Sequence, residues 1–176
     1  MRVKLLYHTD LQALKLVLDQ KGVSFDPMLV MDHVVYMFEI EDCSRVTTHQ
    51  LVRHRVASYD QESQRFSAAT KEGVVVPPNV RSNEVASRVF EEAMEYVYAA
   101  YEKLVVAGVP KEDARYILPN GIKTKIVMTI SAKSLMHFVW QRTALQAQWE
   151  IRELATALLN LAKNATPELW AKIIER

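Results

Sequence analysis

Apolar residues recur along this chain with two different periods, and the switches between them divide it into elements. A loose two-residue alternation in "RVKLLYH" predicts a strand over residues 2–8. Asp10 then offers a cap for a helix through "LQALKLVLDQK" (11–21), which Gly22 ends. "VSFDPML" (23–29) reads as an irregular link. "HVVYMFEIE" (33–41) is rich in β-branched and aromatic residues and predicts a strand. "DCSRVTTHQLVRHR" (42–55) suits a helix capped by Asp42 or Ser44, although the β-branched pair Val46 and Thr47 weakens its helical preference. "SQRFSAAT" (63–70) reads as a short strand or extended segment. In "KEGVVVPPNVRSN" (71–83), Gly73, Pro77 and Pro78 predict a loop. From Ser82 or Asn83, residues 84–108 form the most regular helical pattern. Val85, Val89, Ala93, Val97, Tyr101 and Leu104 keep helical spacing, with Gly108 and Pro110 as the stop. Pro110 also suits the opening of a short helix through Asp113. "KTKIVMTIS" (123–131) predicts a strand, and residues 132–143 and 147–165 predict helices. Thr166-Pro167-Glu168 caps a last helix.

Strands and helices interleave, but too few consecutive strand–helix units occur for a doubly wound parallel sheet. The expected fold is α+β (α/β in the broad sense), a single domain over 1–176 with a mainly antiparallel sheet flanked by helices. Composition agrees. Among 176 residues, 49% are hydrophobic and 24% charged, a mix that suits a soluble globular protein. The net charge of +1 argues against a protein that lives on nucleic acid. Cys43 is the sole cysteine, which rules out an intrachain disulfide framework and fits a reducing compartment. The five histidines have no recognisable metal spacing, so no metal is expected. "MRVKLLYHTD" reads as neither signal peptide nor membrane span, so the expected location is the cytoplasm, with no membrane partner.

One polar stretch, "RHRVASYDQESQRF" (53–66), interrupts this patterning. If helical, Gln50, Arg53 and His54 would share one face, with Arg55 directed elsewhere. If extended, Gln61, Ser63 and Arg65 would line one side, and Asp60, Glu62, Gln64 and Phe66 the other. Neither side is apolar enough to be a plain core face. An amide, a hydroxyl and a guanidinium in a row suit a phosphate and a polar ring, because Arg grips phosphate through a two-pronged fork. Charge-assisted bonds contribute roughly 1.5–3 kcal/mol each, so three or four would hold a nucleotide. A solvated, salt-bridged surface is the bland alternative. The cluster contains arginine and no lysine, which favours planar anion recognition.

The spacing "RHR-x2-S-x4-S-x-R" at Arg53, His54, Arg55, Ser58, Ser63 and Arg65 resembles the signature of the flavin-dependent thymidylate synthases. "ARYILP" (114–119), "SAKSLMHFVWQR" (131–142) and "AQWEIR" (147–152) resemble later segments of that family, in order; the likeness covers roughly residues 32–152. The resemblance implies reductive methylation of dUMP to dTMP. 5,10-Methylenetetrahydrofolate would supply the carbon, NADPH the reducing power, and reduced FAD the hydride, with no cysteine nucleophile. It implies a homotetramer with active sites where subunits meet. It places Arg53, His54, Arg55, Gln61, Ser131, Lys133 and His137 at FAD, and Gln50, Gln61, Ser63, Arg65, Arg115 and Arg142 at dUMP. Arg142 would be the catalytic residue beside the uracil ring, stabilising charge as C5 becomes nucleophilic. The chain departs from the family pattern at Asp60 (often Asn), Gln61 (Glu), Phe66 (Tyr), Ser131 and His137 (often Asn), and at Asp32-His33 in place of Glu-His.

Other residues receive plainer readings. Cys43, at an expected helix start, reads as a small buried hydrophobe rather than a nucleophile. His33 reads as structural; Trp140, Trp149 and Trp170 as core or interface packing; Glu150 and Arg152 as structural hydrogen-bonding groups. Two further functions compete with the enzyme. One is a nucleotide- and flavin-binding protein that retains the site with impaired turnover, and the other is a nucleic-acid-binding module.

Overall fold

A computed structural model describes residues 1–65 and 73–174, with side chains to Ala171. Four strands form one sheet in the order β1-β2-β4-β3, all neighbours antiparallel. They are β1 (Arg2–His8), β2 (Val35–Ser44), β3 (Ala57–Gln61) and β4 (Lys123–Ser131). Alternation sorts their side chains. Tyr36, Phe38 and Ile40 of β2 and Ile126, Met128 and Ile130 of β4 are buried on one face. The other face carries cross-strand pairs of Lys4 and Lys125 with Glu39 and Glu41.

Helices cover the apolar face. α1 (Leu11–Gln20) is capped by Asp10, which accepts from Gln12 N at 2.8 Å. α7 (Ala132–Arg142), α8 (Trp149–Ala165) and α9 (Pro167–Ile174) close the core, with α8 packed on β1, β2, α7 and α9. Trp170 Nε1 donates to Tyr36 Oη at 2.9 Å, tying α9 to the sheet. The long α5 (Glu84–Val106) packs instead on α4 (Pro78–Arg81), α6 (Lys111–Ala114) and a 3-10 turn, Arg115–Ile117. Its period matches the prediction, yet Val85 and Val89 are 66% and 62% exposed. α2 (Pro27–Val30), capped by Asp26, lies in the expected link, and α4 in the expected loop.

The largest departures fall around the polar stretch. β2 continues through Cys43 to Ser44, and the helix expected over 42–55 is only α3, Arg45–Leu51. A register shift between Ile40 and Cys43, with Asp42 at φ 57, turns Cys43 inward. Cys43 is therefore a buried strand residue, not a helix-start residue. At the other end, His54 lies in a turn, so Gln50, Arg53 and His54 do not share a helical face. The strand at Ala57–Gln61 was not expected, and residues 63–65 of the expected 63–70 segment are not in a strand. Of Gln61, Ser63 and Arg65, only Gln61 is in the strand, so the single three-residue face does not form. Phe66 and the rest of that segment lie outside the described residues.

Candidate functional site

α3, the following turn and β3 form a hairpin-like unit that carries Gln50, Arg53, His54, Arg55 and Gln61. Ser44 starts it. Its hydroxyl accepts from Thr47 N at 3.1 Å as the helix cap, while its own N–H donates to Glu150 Oε1 at 2.7 Å. The Ser44 hydroxyl also donates to Glu150 Oε2 at 2.5 Å. Glu150 is 2% exposed, which bears out its structural role and anchors α3 to the first turn of α8. Tyr59 of β3 closes the unit: its hydroxyl lies 2.9 Å from the carbonyls of both Leu51 and His54. Burial pushes that phenol up to about 12, keeping it a donor.

At the start of β3 the turn presents three cations or potential cations. Arg53 and Arg55 are exposed. His54 is 8% exposed, with its ring edge-on to Phe138 at 4.7 Å and 6.5 Å from the His137 ring. Its Nε2 accepts from Arg142 Nε at 3.2 Å. Burial first, then the charges of Arg142 and His137, depress the imidazole to about 4, so His54 is neutral at neutral pH. Around it on α7, Gln141 Nε2 lies 2.9 Å from His137 Nε2, and Trp140 sits 74% exposed, outside the core of this chain. At the beginning of α7, Ser131 is the cap for Ser134 N at 3.2 Å, and Lys133 pairs with Asp32 at 2.7 Å.

At the far end of β3 lies a second group. Gln61 Nε2 donates to Thr48 Oγ1 at 3.0 Å and Thr124 Oγ1 at 3.3 Å, which leaves its carbonyl oxygen as an acceptor. Ser63 Oγ accepts from Arg65 N at 3.3 Å. Arg65 Nε pairs with Glu112 Oε2 at 2.7 Å, and Arg115 Nε donates to the Glu112 carbonyl at 3.0 Å. Gln50, on α3, makes a long contact to the Val46 carbonyl at 3.4 Å.

Arg45 joins this second group and was not singled out from sequence. Its Nη2 donates to the Glu62 carbonyl at 2.9 Å, while its buried Nε has no hydrogen-bond partner among the described residues. Burial, then the positive charge of Arg115, lower its pKa. It is also the first residue of α3, where the helix dipole disfavours a cation. Glu62 opposes the lowering of its pKa only in part, so this half-buried cation suits an anionic neighbour, and its position directly after the cap Ser44 is the signal that would have revealed it.

The remaining candidates sort readily. Among the described residues no group of His, Cys, Asp or Glu is placed to hold a metal, and no helix is long and apolar enough to cross a membrane. Burial, aided by the charge of Glu150, pushes the Cys43 thiol up to about 12, a neutral group unsuited to nucleophilic attack. His33 is exposed, and its backbone carbonyl rather than its ring takes a hydrogen bond, from Thr9 Oγ1 at 3.5 Å. Trp170 is core, Trp149 half-buried. Arg152 Nη1 donates to the Leu145 carbonyl at 3.1 Å, in keeping with a structural role. Arg142 is thus brought to His54 and His137. His54 precedes the start of β3, and Gln61 stands at the other end of that strand, roughly 14 Å along it.

Comparison with known proteins places this arrangement in context. Residues 20–168 match the family model described as "Thymidylate synthase complementing protein". A flavin-dependent thymidylate synthase from Geobacter sulfurreducens is 45% identical over 152 residues, 85% of this chain and 66% of the relative. One from Sulfurisphaera tokodaii is 46% identical over 143 residues, 80% of this chain and 55% of the relative. The chain thus spans between about half and two thirds of the length of these curated relatives. The solved structure of thymidylate synthase X from Helicobacter pylori with FAD and dUMP superposes with a TM-score of 0.71. It is 24% identical, and the match covers 92% of this chain and 93% of that one, a likeness of fold.

Proposed function

The chain belongs to the flavin-dependent thymidylate synthase family, and from that premise we propose that it catalyses the reductive methylation of dUMP to dTMP. 5,10-Methylenetetrahydrofolate is the carbon donor and NADPH the reductant. The observation that carries this reading is the family match across 20–168, a span that contains every candidate site residue.

The donor set fits FAD. Arg53 and Arg55 are exposed guanidinium groups with no ion-pair partner among the described residues, suited to a diphosphate. The His137 and Trp140 rings, centroids 6.3 Å apart, offer aromatic surface beside them. Arg53, His54, Arg55, Gln61, Ser131, Lys133 and His137 are the residues assigned to hold the flavin. When bound, FAD supplies the hydride; the protein supplies position and field.

dUMP takes the second group. Arg65 and Arg115, with Arg45 beside them, meet the phosphate, and the unpaired Nε of Arg45 gains an acceptor. Gln61 offers its carbonyl to a ring N–H, with Ser63 and Gln50 completing the polar set. Arg142 faces the pyrimidine oxygens and stabilises the electron-rich ring as C5 attacks carbon. Because one chain keeps Arg142 at the opposite end of β3, the site is completed by a second copy, within a homotetramer. The reaction needs no thiol, and the buried neutral Cys43 agrees with that.

The test is turnover. The purified chain with FAD, NADPH, methylenetetrahydrofolate and dUMP should yield dTMP by chromatography, with loss of product when any component is omitted. Retained flavin bands that shift with dUMP but give no dTMP would favour a binding protein with impaired turnover. Sedimentation of the same sample should give a tetramer; a monomer that turns over would overturn the shared site.

A further inference from the structure

We propose that His54 is a positioning residue for Arg142: it accepts a hydrogen bond from Nε and so presents the outer edge of the guanidinium in one orientation. The inference rests on the reading that a pyrimidine nucleotide is the ligand of Arg142. It goes beyond that reading by giving His54 a second task, toward the arginine.

Four features converge on this role. The His54 backbone is held on both sides, its N–H by the Leu51 carbonyl at 3.1 Å and its carbonyl by the Tyr59 hydroxyl at 2.9 Å. The ring is 8% exposed and rests edge-on against fully buried Phe138, 4.7 Å between centroids at 79°. Phe138 and Arg142 are four residues apart on α7 and so lie on one face. A single ring can therefore pack on the first and bond the second. The bond itself runs from Arg142 Nε to His54 Nε2 at 3.2 Å and requires an unprotonated Nε2. The dry, cation-flanked setting keeps it unprotonated, with the ring proton on Nδ1.

The consequence lies in what remains of Arg142. A guanidinium has five N–H donors. One is committed to His54, and the four on the terminal nitrogens have no hydrogen-bond partner among the described residues. Those four form the edge that recognises a planar ring oxygen or imide. An arginine held at Nε before the ligand arrives loses less freedom on binding and meets the developing charge without reorganising.

The test uses the FAD-loaded chain and four variants: His54→Phe, His54→Gln, Arg142→Ala, and His54→Phe with Arg142→Ala. dUMP dissociation constants come from the flavin absorbance change, and FAD affinity from separate titration. His54→Phe keeps the packing and removes the acceptor, so it should weaken dUMP about ten-fold, and by more than it weakens FAD. His54→Gln, which retains an acceptor, should recover most of that loss. In the Arg142→Ala background His54→Phe should add less than about two-fold. Equal losses in both backgrounds, or a selective loss of FAD affinity, would overturn the positioning role while leaving the dUMP reading intact. If the unsubstituted chain binds no dUMP, both readings fall together. A ligand-free readout stands beside these in case a variant does not fold. The Arg142 Nε–H resonance, identified by its disappearance in Arg142→Lys, should exchange slowly with solvent in the unsubstituted chain. Fast exchange there would overturn the hydrogen bond directly.

Discussion

The two ends of β3 hold arginines in opposite circumstances. At the start of the strand, Arg142 bonds a buried neutral histidine that itself rests on an apolar ring, and it has no ion pair among the described residues. At the far end, Arg65 is exposed and paired with Glu112, beside Arg115 and the half-buried Arg45. The first arrangement gives direction to a single charge. The second concentrates several charges and tempers them with carboxylates, Glu112 and Glu62 among them. A reacting ring calls for the first and a phosphate for the second, which is why one polar stretch of sequence serves both ends.

Predictions that probe this contrast begin with its sharpest claim. Arg142→Ala should lower the rate of dTMP formation by about 10²–10³-fold, the usual loss when one electrostatic stabiliser is removed, while Arg65→Ala should leave single-turnover chemistry far less affected at saturating dUMP. Rapid-quench kinetics would decide; equal losses would erase the difference between the two ends.

Next comes pH. His54 has a folded pKa of about 4, below the ordinary 6.5, so the unfolded chain takes up the proton first as pH falls. This contribution leaves stability unchanged above about pH 6.5, removes roughly 3 kcal/mol between 6.5 and 4, and levels off below that. Urea titrations at stepped pH should lose most of this slope in His54→Phe. An unchanged slope would place the effect elsewhere.

Arg65→Ala should raise the dUMP dissociation constant about ten-fold or more, since one charge-assisted bond is lost, and leave FAD retention as it was. Calorimetry with each ligand separates the two. Glu112→Gln is expected to move folding stability by less than about 0.5 kcal/mol, because the ion pair it breaks is exposed. By removing a negative charge beside Arg65 it should tighten phosphate binding slightly. Cys43→Ala should have the smallest effect on chemistry: dTMP formation persists, and a thiol reagent at pH 8 should leave the native chain unlabelled. Loss of turnover in a folded Cys43→Ala protein would reinstate a thiol mechanism.

Elements with a clear period were legible. The strands over 2–8 and 123–131, the caps at Asp10 and Asn83, and α5, α7 and α8 were all read from the pattern. Legibility failed where tertiary contacts overrule local pattern. α3 stops at Leu51 without a glycine or proline, because the Leu51 and His54 carbonyls turn to meet Tyr59 from β3. β3 is only five residues long, and its inward face is just Ala57, Tyr59 and Gln61, too little apolar pattern to announce it. The exposed valines of α5 show that a helical period does not say whether the same chain covers the face. For the site, the arginine-rich stretch was visible as anion chemistry. Its division between two ends was not, because the division depends on where α7 lies. Arg45 escaped notice because an isolated arginine in a mixed helix is unremarkable until its buried Nε is seen to lack a partner.

The extra residue in β2 has a consequence of a different kind. A pleated strand counts in twos, and up to Ile40 the even-numbered residues of β2 face inward. Continued without interruption, that count would send Asp42 into the core and Cys43 out to water. The left-handed turn at Asp42 changes the parity. Cys43 becomes the inward residue, and the helix behind it begins one step out of phase with the strand that feeds it. Every position from Arg45 to His54 inherits that offset, so the bearing of the arginine-bearing turn is set by an odd number in the arithmetic of a neighbouring strand. Deleting one residue at Glu41 or Asp42 would restore even counting and swing the whole hairpin away from its bearing while leaving each of its side chains chemically unchanged.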